Sequence, residues 1–130
     1  MICADTSSWI AYFEGAEGKD VELLLQSLRD KSLVLCPPVL TELLSNPNLG
    51  ALARDAIGRL PTLELRAGFW ERAGNTRADL LRRKFKPKLA DTLIAQCCMD
   101  AGVSLITRDG DFLPFSRHAG LSLVLAFSNT

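Results

Sequence analysis

Apolar residues fall at two alternating periods along this chain, short continuous runs and longer stretches at helical spacing. Ile2 to Ala4 is a short apolar run ending at Asp5, where the hydroxyls of Thr6, Ser7 and Ser8 suit a helix N-cap. Trp9, Ile10, Tyr12 and Phe13 then continue at helical spacing up to Gly15. Residues 19 to 30 form an amphipathic pattern, with Val21, Leu24, Leu25 and Leu28 on one face. Leu33 to Leu35 reads as a second strand. Pro38 then sits in the first turn of a helix carrying Val39, Leu40, Leu43 and Leu44, and Asn46-Pro47-Asn48 breaks it. Leu49 to Leu60 predicts another helix, and Thr62 to Leu65 a short strand. From Ala67 to about Lys84 the pattern is helical, with Phe69, Trp70, Ala73 and Leu80 expected to point inward. Leu89 to Ala101 is the clearest helix and stops at Gly102. Val103 to Thr107 and Leu121 to Ala126 are the last two apolar strands.

Short apolar strands alternating with helices predict an α/β fold with a parallel sheet covered on both faces. The 130 residues, 48% of them hydrophobic, suit one domain over 1–130 with a true core. Charges interrupt every apolar stretch before ~18 residues, so no membrane span is expected. The start lacks a basic signal-peptide region, which points to the cytoplasm. Cys3, Cys36, Cys97 and Cys98 lack zinc-like CxxC spacing and read as buried, reduced thiols.

Lys plus Arg and Asp plus Glu each total 15, so net charge gives no support to a nucleic-acid partner. The distribution is uneven, however. Arg77, Arg82, Arg83, Lys84, Lys86 and Lys88 crowd into one stretch, while several acids stand at element ends.

Ligands of parallel α/β sheets bind beyond the carboxyl ends of the strands. Asp5 follows the first strand, and Asp109 follows the strand ending at Thr107. Glu42 lies one turn into a helix that follows a strand, and Asp91 lies in the first turn of an otherwise apolar helix. All four are expected on one edge. Singly, each has a plain structural reading, as turn residue, dipole complement or solvated position. Jointly they require a partner, because two carboxylates about 4 Å apart repel by roughly 4 kcal/mol at an effective dielectric near 20. Oxygen-only donors suit Mg²⁺ or Mn²⁺, and a hard divalent ion suits phosphodiester hydrolysis. His118 is the sole histidine and reads as a surface residue; no serine or cysteine stands in a triad setting.

Four segments together carry a resemblance: Asp5-Thr6-Ser7-Ser8-Trp9-Ile10, Thr41-Glu42-Leu43-Leu44, Leu89-Ala90-Asp91-Thr92-Leu93-Ile94-Ala95 and Thr107-Arg108-Asp109-Gly110-Asp111-Phe112. In this order they resemble the PIN-domain ribonucleases, and among them the VapC-type toxins of toxin–antitoxin pairs. Residues 46 to 86 carry no matching motif. The resemblance implies a three-layer α/β/α sandwich with a central, mostly parallel sheet, and Mg²⁺- or Mn²⁺-dependent endonucleolytic hydrolysis of RNA by metal-activated water. It implies that Asp5, Asp91 and Asp109 hold the metal and that Glu42 acts nearby. Asp111 is a further candidate ligand, and Thr6, Ser7 and Thr107 orient carboxylates or water. It also implies a homodimer and a cognate antitoxin that blocks the acidic pocket.

The stretch Arg82-Arg83-Lys84-Phe85-Lys86-Pro87-Lys88, directly before the Asp91 helix, is a candidate guide for the RNA backbone. Other readings stay open on the residues alone. An aspartyl phosphotransferase or phosphatase of the haloacid-dehalogenase type would need a second acid at position 7, where Ser7 stands. A receiver-like signalling domain would need a late lysine after a strand, and none is evident. A catalytically silent module with the same fold is excluded only by activity.

Overall fold

In the computed structural model, which describes residues 1–125, the helices pack on a three-stranded parallel sheet. The strands are β1 (Ile2–Ala4), β2 (Ser104–Thr107) and β3 (Leu123–Leu125). The helices are α1 (Thr6–Phe13), α2 (Lys19–Arg29), α3 (Pro37–Leu44), α4 (Ala51–Gly58), α5 (Phe69–Arg82), α6 (Leu89–Ala101) and α7 (Leu113–His118). A 3₁₀ turn, Gly110–Phe112, joins β2 to α7. Ala126, expected to end the last strand, lies outside the described residues.

Strand β2 sits between β1 and β3, with Cys3 opposite Leu105 and Ile106 opposite Val124. Leu105, Ile106 and Thr107 are all fully buried. Successive strand residues point to opposite faces, so helices must cover both sides of the sheet. This is the sandwich that the patterning predicts.

Two expected strands shrink to single rungs. Leu33 bridges Ile2, and Leu35 bridges Thr62, both in parallel. The first segment runs at once into Pro37, which has no N–H to extend a ladder and which opens α3. These rungs nevertheless place the segments around residues 62 and 35 beside β1, in the order 62, 35, β1, β2, β3. Chain order thus reverses between β1 and β2, and their carboxyl ends flank the resulting crevice.

Two local details depart from expectation. The cap of α1 is Asp5 itself, whose carboxylate accepts the Ser8 N–H at 3.2 Å. Trp70 is 63% exposed, whereas Phe69, Ala73 and Leu80 are buried. Those three share a stripe at i, i+4 and i+11, and Trp70 lies about 100° around the helix from it. The indole instead forms a T-shaped pair with Phe69, with ring centroids 5.0 Å apart.

Trp9 is buried and stacks on Phe13, while Tyr12 and Phe13 are partly buried against the core. All four cysteines are buried and free. Helix α6 lays Ile94, Ala95, Cys97 and Cys98 into the core and ends at Gly102, whose φ of +67° favours glycine. Helices α5 and α6 are tied by a polar chain in which Arg72 and Gln96 donate to Asp100, and Thr76 donates to Gln96.

Candidate metal centre

Each acid reaches the crevice by a separate local device. Asp5 leaves the end of β1, and its backbone N–H donates to the Ile106 carbonyl of β2 at 2.9 Å. Its carboxylate accepts the Ser7 hydroxyl at 2.8 and 2.9 Å. Burial pushes its pKa up, partly offset by hydrogen bonds from Ser7, Thr107 and the Ser8 N–H; the charge of Asp109 raises it further. Asp109 leaves the end of β2. Its N–H donates to Thr107 Oγ1 at 2.9 Å, and its carboxylate accepts the Asp111 N–H at 2.9 Å, which caps the 3₁₀ turn.

Asp91 enters from the first turn of α6. Its pKa is pushed up to about 6, first by burial and then by the charge of Asp109, with Asp111 and Glu42 adding and Lys88 opposing. Glu42 on α3 is exposed and accepts the Thr6 hydroxyl at 2.7 Å.

Carboxylate oxygens of Asp91, Asp109 and Asp111 all lie within 4.8 Å of one another. Asp5, Glu42, Thr6 and Ser7 stand outside that triplet but line the same cavity of about 260 Å³ as Asp91 and Asp109. The tightest grouping therefore includes Asp111, the further candidate ligand of the sequence analysis. It gets there because the Asp109 cap folds the turn back on itself. A hard divalent cation fits this donor set. The donors are oxygens only, and the charges of Asp109, Asp111 and Glu42, which add to burial in raising the Asp91 pKa, are a repulsion that a cation would relieve.

The basic run divides. Arg82 and Arg83 both face Asp79, at 3.7 and 3.1 Å. Lys84 is exposed at the end of α5 with φ +73°. Lys86 and Lys88, by contrast, line a cavity of about 240 Å³ that also touches Asp91 and Asp111. Lys88 Nζ stands 4.0 Å from Asp111.

Sequence reasoning missed the anchor of the Asp109 loop. Arg108 donates to the buried Asp20 at 2.7 and 2.9 Å, and the Ser8 hydroxyl donates to it at 2.8 Å. Burial alone would raise the Asp20 pKa, but the bonds from Arg108 and Ser8 outweigh it and hold the group below its ordinary value. A signal was present: Asp20 precedes Leu24 by four and Leu28 by eight, placing a carboxylate on the apolar stripe of α2.

The family model described as PIN domain matches residues 2–120. The chain belongs to the PIN domain family. This PIN domain is 28% identical over 129 residues to Ribonuclease VapC11 of Mycobacterium tuberculosis, covering 93% of this chain and 96% of that protein. It superposes on the structure of VapBC2 from Rickettsia felis bound to a promoter DNA fragment with a TM-score of 0.73. That match has 20% identity and covers 96% of this chain and 98% of the other. It also matches VapBC-5 from Mycobacterium tuberculosis, of the VapBC family of toxin-antitoxin systems. There the TM-score is 0.70 at 17% identity, covering 95% and 97% of the two chains. At such identity the two solved structures establish the PIN fold alone. No helix among the described residues is long and apolar enough to cross a membrane.

Proposed function

We propose that this PIN domain is a Mg²⁺- or Mn²⁺-dependent endoribonuclease and the toxin of a toxin–antitoxin pair. The observation that carries the reading is the mutual approach of Asp91, Asp109 and Asp111 within 4.8 Å, at a cavity that Asp91 and Asp109 line together with Asp5 and Glu42. Asp91, Asp109 and Asp111 would hold the ion, with Asp5 and Glu42 facing it or its water. Such an ion supplies Lewis acidity toward phosphate oxygens and lowers the pKa of water.

The chain's own groups prepare the site. Hydrogen bonds from Ser7 and Thr107 favour the charged form of Asp5 and offset part of its burial, and Thr6 fixes the Glu42 carboxylate. Lys86 and Lys88 offer cations to RNA phosphates at the rim, where an acidic pocket alone would repel them. The name of the VapC11 relative supports RNA as substrate, and the VapBC structures support an antitoxin as partner. An apolar groove containing Ile10, Phe13 and Leu52 suits that partner, because Ile10 lines both this groove and the acidic cavity. In this reading the protein works as a homodimer.

Cleavage of total RNA by antitoxin-free protein tests the proposal, run with Mg²⁺, Mn²⁺ or EDTA beside Asp5→Asn. Discrete fragments that need the metal and vanish in the variant are expected. Absence of cleavage by folded protein, or cleavage indifferent to both EDTA and Asp5→Asn, overturns it.

A further inference from the structure

Three cavities adjoin one another across the mouth of the sheet. The first holds Lys86 and Lys88 and shares Lys88 and Asp91 with the acidic cavity. The acidic cavity in turn shares Glu42 and Ala90 with a third, of about 310 Å³, whose walls include Pro37, Leu65, Leu93 and the indole of Trp70. Cations, a carboxylate centre and an exposed aromatic surface therefore succeed one another along a continuous path. A single strand of nucleic acid presents the complement of that order, with phosphates along its backbone and a flat base at each step.

Resting on the ribonuclease reading, we infer that Trp70 is a stacking platform for a nucleobase beside the scissile phosphate. The ring suits that role. It is 63% exposed, which leaves ring surface open to a base, and its T-shaped packing against the buried Phe69 restrains it before RNA arrives. The other walls of this cavity are mainly apolar, which favours a base over a phosphate. A second copy of the chain is the competing occupant of an exposed apolar face, but it gives no reason for the cationic segment at the far end of the path.

The test uses intrinsic fluorescence, because the chain has two tryptophans and Trp9 is buried. Binding is measured in Mg²⁺ in the Asp5→Asn background, so that RNA survives, with a single-stranded RNA oligonucleotide and an abasic strand of equal length. The base-bearing strand is expected to quench the exposed indole, and the abasic strand is not. Adding Trp70→Ala should weaken RNA binding about tenfold, while Trp70→Phe stays within about threefold. In the otherwise unaltered protein, Trp70→Ala should raise KM about tenfold with kcat little changed. Equal quenching by the abasic strand, or equal RNA affinity in Trp70→Ala, overturns the inference. Conversion of a dimer to a monomer by Trp70→Ala, at constant RNA affinity per protomer, also overturns it and assigns the face to a second copy. Failure of the unaltered protein to cut RNA defeats the ribonuclease reading, whereas cutting that Trp70→Ala leaves unchanged defeats only the platform.

Discussion

Asp91→Asn removes a charge that the metal-free fold holds at a cost. The Asp91 pKa rises from its ordinary 3.8 to about 6, through burial and the charges of Asp109, Asp111 and Glu42. At ~1.4 kcal/mol per pH unit this rise corresponds to at most about 3 kcal/mol. The pocket is open to water and Asp91 is only half-buried, so screening reduces the effect to ~1–2 kcal/mol. No hydrogen bond is among the influences on the Asp91 carboxylate, so asparagine forfeits chiefly the opposing attraction of Lys88. The folded-state value lies above the unfolded one. The penalty is therefore fully present above about pH 6 and fades as pH falls through 6 toward 3.8. In EDTA at pH 8, Asp91→Asn should melt roughly 4–8 °C higher than the unaltered protein, with the gap closing by pH 4. Mg²⁺ should stabilise the unaltered protein more than the variant, by mass action on the folded state. Thermal melts at pH 8, 6 and 4, with and without Mg²⁺, read all of this. A lower melting temperature for Asp91→Asn in EDTA at pH 8, or a gap independent of pH, would refute the electrostatic account and leave Asp91 a structural residue.

Two further outcomes follow from the hydrogen bonds around the site. Arg108→Met leaves the buried Asp20 carboxylate without its cation, and should destabilise the fold by about 2–4 kcal/mol in urea unfolding. A loss under ~1 kcal/mol would show that Ser8 and backbone N–H groups suffice for Asp20. Ser7→Ala removes both hydroxyl contacts to Asp5, whose pKa burial already raises. The acidic limb of the cleavage pH profile should move up by about one pH unit, and an unmoved limb means that Asp5 does not set it.

Much of the site was legible because its acids sit at places that strand and helix boundaries define. Asp5 and Asp109 follow apolar strands, and Asp91 opens the most regular helix, so period alone put them on one edge. Helix α6 came out with its expected bounds, Leu89–Ala101, because its apolar stripe and Gly102 agree. What sequence could not supply was distance. Asp111 joins Asp91 and Asp109 because the Asp109 carboxylate caps its N–H, and a turn dipeptide has the same sequence whether or not it closes that way. Trp70 counted as core by its apolarity, yet one residue's rotation about α5 carries it past the buried stripe to the surface.

The basic run shows the same division. Charge clustering identified Arg82 to Lys88 as one patch, but the end of α5 turns Arg82 and Arg83 back onto Asp79 and sends Lys86 and Lys88 to the acidic rim. The partnership of Arg108 with Asp20 spans 88 positions, and no local pattern in the chain specifies it. Local periodicity and capping chemistry, which act over a few residues, fixed the elements, their order and the edge where the acids emerge. Contacts between groups remote in sequence exist only once the sheet brings its strands together, and those contacts decided which carboxylates meet, which cations reach the acidic rim and which aromatic stays outside.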